Sequence, residues 1–178
     1  MKVPPRPLLA RVWDSCVITD YLGGKPEALP HAKPIVDAAR RGEIQIWVSL
    51  FVEVEVAYLE GMSDAESERT ITEFFAEDYV LPLMIDPFVS ELARKLVRCF
   101  HVAGKDAVHV ASAIRFGAPV FETFDKPLMT KLKQADPEKL LGKLMVREPL
   151  YAGARTMFDP PLPAESDPAT PAAPSESA

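Results

Sequence analysis

Cysteine is scarce in this sequence: Cys16 and Cys99 are the only two in 178 residues. Both fall in segments that read as core helices. Neither a disulfide scaffold nor a thiolate metal site is indicated, and a reducing cytoplasm is the expected setting. No apolar run reaches the ~18 residues of a membrane span, so no membrane role is expected. The opening MKVPPRPLLARVWD lacks the long apolar stretch of a secretory signal. No Ser-His-Asp order, Walker loop or GxGxxG turn stands out. Nor is there an excess of positive charge, since the net charge is −6. The stretch from Asp159 to Ala178 holds four of the 26 acids and no Lys or Arg, and setting those four aside leaves 22 acidic against 20 basic residues. A polycation that clings to any nucleic acid is excluded. An enzyme that meets RNA through a local basic rim, or through metal and shape, is not.

What the sequence does contain is four acids, each at the edge of an otherwise apolar segment: Asp14 in LLARVWDSCVITDYL, Glu55 in IWVSLFVEVEVAYLEG, Asp106 in GKDAVHVASAI and Asp125 in VFETFDKPL. A carboxylate beside a buried run is costly unless something compensates it. Four such cases suggest one shared compensator, and a hard divalent cation is the simplest. Each acid also has an ordinary reading. Asp14, Asp106 and Asp125 stand where helix caps or first-turn acids stand, and Glu55 could be a solvated glutamate. Glu53, two residues away, lies on roughly the opposite helix face, and periodicity does not choose between the pair. Ser15 could donate a bond that orients Asp14. His109, one turn into the Asp106 helix, reads as a packed histidine, and Trp13 and Trp47 read as core.

Strands and helices alternate along the chain. Strands are expected at Leu8 to Trp13, Ile44 to Val48, Tyr79 to Ile85 and Pro119 to Thr123, with a fifth, edge strand at Leu144 to Arg147. Helices are expected at Ser15 to Leu22, His31 to Arg41, Leu50 to Glu60 and Lys105 to Phe116. Others run from Ser63, a capping box with Glu66, to Ala76, from Asp86-Pro87 to His101, and from Lys126 to Gln134. Such alternation predicts an α/β fold with a mostly parallel sheet of four to five strands, covered on both faces. Sites in such sheets form at the carboxyl ends of strands, where Asp14 and Asp125 fall. Residues 1–150 form the expected domain. Residues 151–178, rich in Pro, Ala and Ser with almost no large apolar residue, are expected to be a disordered tail.

Three blocks resemble the PIN-domain family. VWDSCVITDYL is similar to its opening strand and helix, and VSLFVEVEV to its second block. KDAVHVASAIRFGAPVFETFDKPL is similar to its most specific block, with a strand ending in Thr-x-Asp, here Thr123 and Asp125. The similarity runs from about Leu8 to Val146, and the VapC-like toxins of toxin–antitoxin systems are the subgroup it resembles most. The resemblance implies a three-layer α/β/α fold and a Mg²⁺- or Mn²⁺-dependent endoribonuclease acting on RNA. It implies a cognate antitoxin as partner, and it suggests a homodimer. It carries the metal and catalytic roles to Asp14, Glu55, Asp106 and Asp125, choosing Glu55 over Glu53 by its spacing from Ser49. The alternative function is a catalytically silent module that binds RNA or a protein.

Overall fold

In the computed structural model, which describes residues 9–136 and 138–151, the strands are β1 (Leu9–Trp13), β2 (Ile44–Ser49), β3 (Val80–Leu83), β4 (Val120–Glu122) and β5 (Met145–Arg147). The helices are α1 (Ser15–Leu22), α2 (Leu29–Arg40), α3 (Val52–Glu55), α4 (Asp64–Phe75), α5 (Pro87–Phe100), α6 (Gly104–Arg115) and α7 (Lys126–Leu132). The expectations for the first eight residues and for the tail past Tyr151 lie outside the described residues. Among the described residues, no helix is long and apolar enough to cross a membrane.

All five strands are parallel, in the order β3-β2-β1-β4-β5. Because strand side chains alternate between faces, neighbours in β1 feed two separate cores. Trp13 joins Val17 and Ile18 of α1, Ile35 and Val36 of α2, and Phe74 of α4 on one face. Val12 joins Leu96 of α5, Val110 of α6, Phe121 of β4 and Leu128 of α7 on the other. The result is the expected three-layer α/β/α fold. Burial on both faces explains why the inner strands read as near-continuous apolar runs. Trp13 anchors its side by stacking on Phe74, with ring centroids 6.5 Å apart, and meeting Tyr21 edge-on at 6.2 Å. Trp47, expected in the core, is only partly buried, and both cysteines are half-buried and free.

The punctuation of the helices follows the sequence. Ser63 and Glu66 form the reciprocal capping box of α4, and Asp86 caps α5, with Pro87 at its first position. The helix expected over Leu50 to Glu60 is the largest departure: it closes after the single turn of α3. Three alternate β-branched residues, Val52, Val54 and Val56, weaken helix propagation here, and Val56 leaves helical geometry at φ −87°, ψ 72°. The chain then runs irregularly while still burying Val56 and Leu59. Leu59 N–H finds its partner outside any helix, donating to the buried Ser67 Oγ of α4 at 3.2 Å. Ser67→Ala should orphan that amide and cost about 1–3 kcal/mol, read as a lower unfolding midpoint in urea. Strand β3 is also shorter than expected, ending before the exposed Met84. Pro82, which cannot donate to a ladder, is accommodated because β3 lies at the sheet edge.

Candidate active site

Strand order reverses direction between β1 and β4, and the crevice at their carboxyl ends is where ligand sites form in open parallel sheets. Asp14 follows β1 directly. Its N–H extends the pairing with β4 by donating to Glu122 O at 3.0 Å, which pins the residue at the mouth of that crevice. Its carboxylate is buried, 4% exposed. Oδ1 accepts from Ser15 N at 2.8 Å, capping α1. Oδ2 accepts from the buried Thr123 hydroxyl at 2.6 Å. The Thr123 oxygen in turn accepts from Asp125 N at 3.0 Å, so one side chain ties both strand-end acids together. Asp125 caps α7 by accepting from Leu128 N at 2.8 Å. Ser15 thus orients Asp14 through its backbone, and the orienting hydroxyl is that of Thr123. Cys16 Sγ lies 3.3 Å from Asp14 Oδ2. Burial, and then the Asp14 charge, push its thiol up to about 12, so it stays a neutral thiol rather than a nucleophile.

The first turns of α6 supply the rest. Lys105 and His109 are four residues apart and share one helix face, and both reach Glu55. His109 is fully buried, with Nε2 bonded to Glu55 Oε2 and 4.0 Å from Asp14 Oδ1. Its Nδ1 has no partner among the described residues. Lys105 Nζ lies 3.0 Å from Glu55 Oε1. Glu53, by contrast, is exposed and lines a surface groove with Tyr58 and Asp64, so Glu55 is the glutamate that faces the acids. Burial pushes the Glu55 carboxyl up, but the bonds from His109 and Lys105 outweigh it and hold the group at about 2. Because this folded-state value lies below the ordinary one of 4.5, the stability Glu55 contributes is complete above pH 4.5 and is lost as pH falls toward 2. Glu55→Gln should flatten the acid limb of a melting-temperature profile over that window.

Asp106 differs from its neighbours. It does not cap α6, whose N-cap is Ala103, and its side chain has no hydrogen bond or ion pair among the described residues. Burial, then repulsion by Asp14 and Asp125, raise its carboxyl above the usual range against the opposing pull of Lys105 and His109. The structure therefore gathers Asp14, Glu55, Asp106 and Asp125 at one sheet edge, and leaves Glu53 out. Among the described residues, no three His, Cys, Asp or Glu side chains stand close enough together to hold a metal ion as they are placed. All four acids offer hard carboxylate oxygens; those of Asp14 and Glu55 already carry protein partners, while Asp106 has none among the described residues and is destabilised by like charge. Such a set suits a hard divalent cation that keeps several waters; the neutral thiol and the occupied imidazole Nε2 suit no soft or closed site.

Sequence reasoning missed the work of Lys105 and His109, although their i, i+4 spacing beside Asp106 was the available signal. It also missed Glu122, fully buried in β4. Glu122 receives Arg11 Nη1 at 2.5 Å, Trp13 Nε1 at 3.0 Å and Arg147 Nη2 at 3.3 Å. These partners are as many as 111 residues away in sequence.

With this geometry in place, comparison with known proteins finds the following. A family model described as PIN domain matches residues 11–131. Among solved structures, the chain is similar to VapBC2 from Rickettsia felis, bound to a DNA fragment from its promoter. The TM-score is 0.58 at 10% identity, over 78% of this chain and 98% of that one. It is also similar to VapC20 of Mycobacterium tuberculosis, a sarcin-ricin loop cleaving toxin. There the TM-score is 0.55 at 15% identity, over 67% of this chain and 93% of that one. At these identities the likeness is one of fold. No curated protein matches the chain.

Proposed function

This chain belongs to the PIN-domain family, and from that premise we propose that it is a divalent-metal-dependent endoribonuclease, the toxin of a toxin–antitoxin pair. The observation that carries this reading is Asp106: a half-buried carboxylate without a hydrogen-bond or ion-pair partner among the described residues, raised by burial and by Asp14 and Asp125. Burying a charge this way is costly unless a ligand compensates it. The fold likeness to a toxin that cleaves the sarcin-ricin loop supports RNA as substrate, and the likeness to the Rickettsia felis pair supports an antitoxin protein as partner.

Asp14, Glu55 and Asp106 would hold Mg²⁺ or Mn²⁺, and Asp125 would hold a second ion or act through water. Bound there, such a cation supplies Lewis-acid polarisation of the scissile phosphate and charge to stabilise the leaving oxygen. Thr123 keeps Asp14 Oδ2 aimed, and His109 keeps Glu55 from turning to solvent. Neither Cys16 nor His109 is needed as a nucleophile or base.

The expected result is cleavage of RNA in Mg²⁺ or Mn²⁺, none in EDTA, and little on DNA of matched sequence. The same ions should raise the melting midpoint, by an amount equivalent to about 2.7 kcal/mol once the metal is at a hundred times its Kd. Cutting that persists in EDTA, or an unmoved midpoint at millimolar metal, would sink the proposal. RNA binding without cutting would favour a silent binding module.

A further inference from the structure

Glu55 carries a different partner on each carboxylate oxygen. His109, buried in α6, binds Oε2 and fixes the direction of the side chain. Lys105 reaches Oε1 at 3.0 Å from outside: its side chain is 57% exposed, against 13% for Glu55. The charges of Glu55, Asp106 and Asp14 all bear on this ammonium. An exposed lysine pinned in one rotamer loses conformational freedom, so the pair is weak and reversible. Its aiming role is redundant with that of His109. What Lys105 adds is a positive charge, at an oxygen a divalent cation would also use. In α6 it is also followed directly by Asp106, so its stem leaves the backbone next to that carboxylate.

We propose that Lys105 is an exchangeable counter-cation: its ammonium neutralises Glu55 in the metal-free chain and is displaced from Oε1 when a divalent cation binds. The proposal rests on the metal-dependent reading given above. It makes Lys105 a competitor of the metal rather than a ligand or a catalytic group, and so a residue that sets how much metal is needed to load the site. The length and freedom of the side chain let it leave without moving α6, whereas the buried His109 ring cannot.

The test is Mn²⁺ binding by the full-length chain, with the free ion read from its electron paramagnetic resonance signal, for wild type, Lys105→Met and Lys105→Arg. Removing the charge while keeping the stem should tighten Mn²⁺ binding roughly 1.5- to 5-fold, the range of one exposed ion pair. Lys105→Arg, which restores the charge, should bind as wild type does. Wild-type uptake of Mn²⁺ with equal or weaker affinity in Lys105→Met overturns the exchange alone. No uptake by wild type overturns the metal-dependent reading and the exchange with it. Neither outcome depends on cleavage being observed.

Discussion

Asp106→Asn is expected to lower RNA cleavage by about 10²-fold or more while leaving the metal-free chain as stable as wild type, or more so. The loss follows from weakening the hold on the cation that would stabilise the developing charge, and losing one such stabilising group typically costs about 10²–10³ in rate. The stability gain follows from what Asp106 lacks. It makes no side-chain bond among the described residues, and Asp14 and Asp125 repel it. The sign is set by its raised folded-state value: the folded chain holds the proton more tightly than the unfolded one. Asp106 is therefore harmless at low pH and unfavourable once pH rises through that value. The advantage of the asparagine should appear at neutral pH and vanish in acid. Melting curves across pH, paired with cleavage assays, check both halves. A variant that lost activity together with stability would mean that Asp106 holds the fold, not the reaction. Asp14→Asn would separate these less well, because Asp14 accepts bonds from both Ser15 and Thr123.

Glu122→Ala should cost about 3–5 kcal/mol of folding stability, the range for removing one partner of a buried ion pair. Glu122 is fully buried, and Arg11 is 6% exposed. Without the glutamate, Arg11 would keep, among the described residues, the Leu150 carbonyl at 2.9 Å and the Tyr151 ring, whose centroid lies 5.9 Å from its guanidinium carbon. Its Nε, like that of Arg147, is already buried without a partner among the described residues. Such a loss is a large part of the 5–15 kcal/mol that holds a typical domain. Urea unfolding measures it, and a loss under 1 kcal/mol would show that water reaches the cluster. Replacing both partners with apolar residues, Glu122→Leu with Arg11→Met, should recover part of the loss, because the buried Arg11 charge is then gone while Trp13 Nε1 still lacks its acceptor.

These two sites also mark where the sequence could and could not be read. Asp14 and Asp125 were legible because each stands between a strand and a helix, and both turn out to cap their helices as well as face the crevice. Asp106 was legible as an acid near a helix start, but that it caps nothing is visible only in three dimensions. Glu122 was not legible. In a three-residue strand between Phe121 and Thr123 it reads as one more alternating position, and nothing local points to Arg11. The bond between His109 and Glu55 spans 54 residues and is equally silent in the sequence. The over-long helix after β2 has another cause. Apolar spacing through Val56 and Leu59 fits a helix, yet the same residues are buried by an irregular segment because Ser67 supplies the missing hydrogen-bond partner.

The bond between Thr123 and Asp14 has a consequence for how the protein is made. Its two ends are 109 residues apart, and β4 must insert beside β1 before it can close. At ribosomal speeds of about 5–20 residues per second, Asp14 waits roughly 5–20 s for its partner. Until then the first half of the chain can form β1 to β3, but the edge where the acids meet does not exist. The nascent chain therefore lacks the crevice until β4 has been made, however early β1 to β3 have paired.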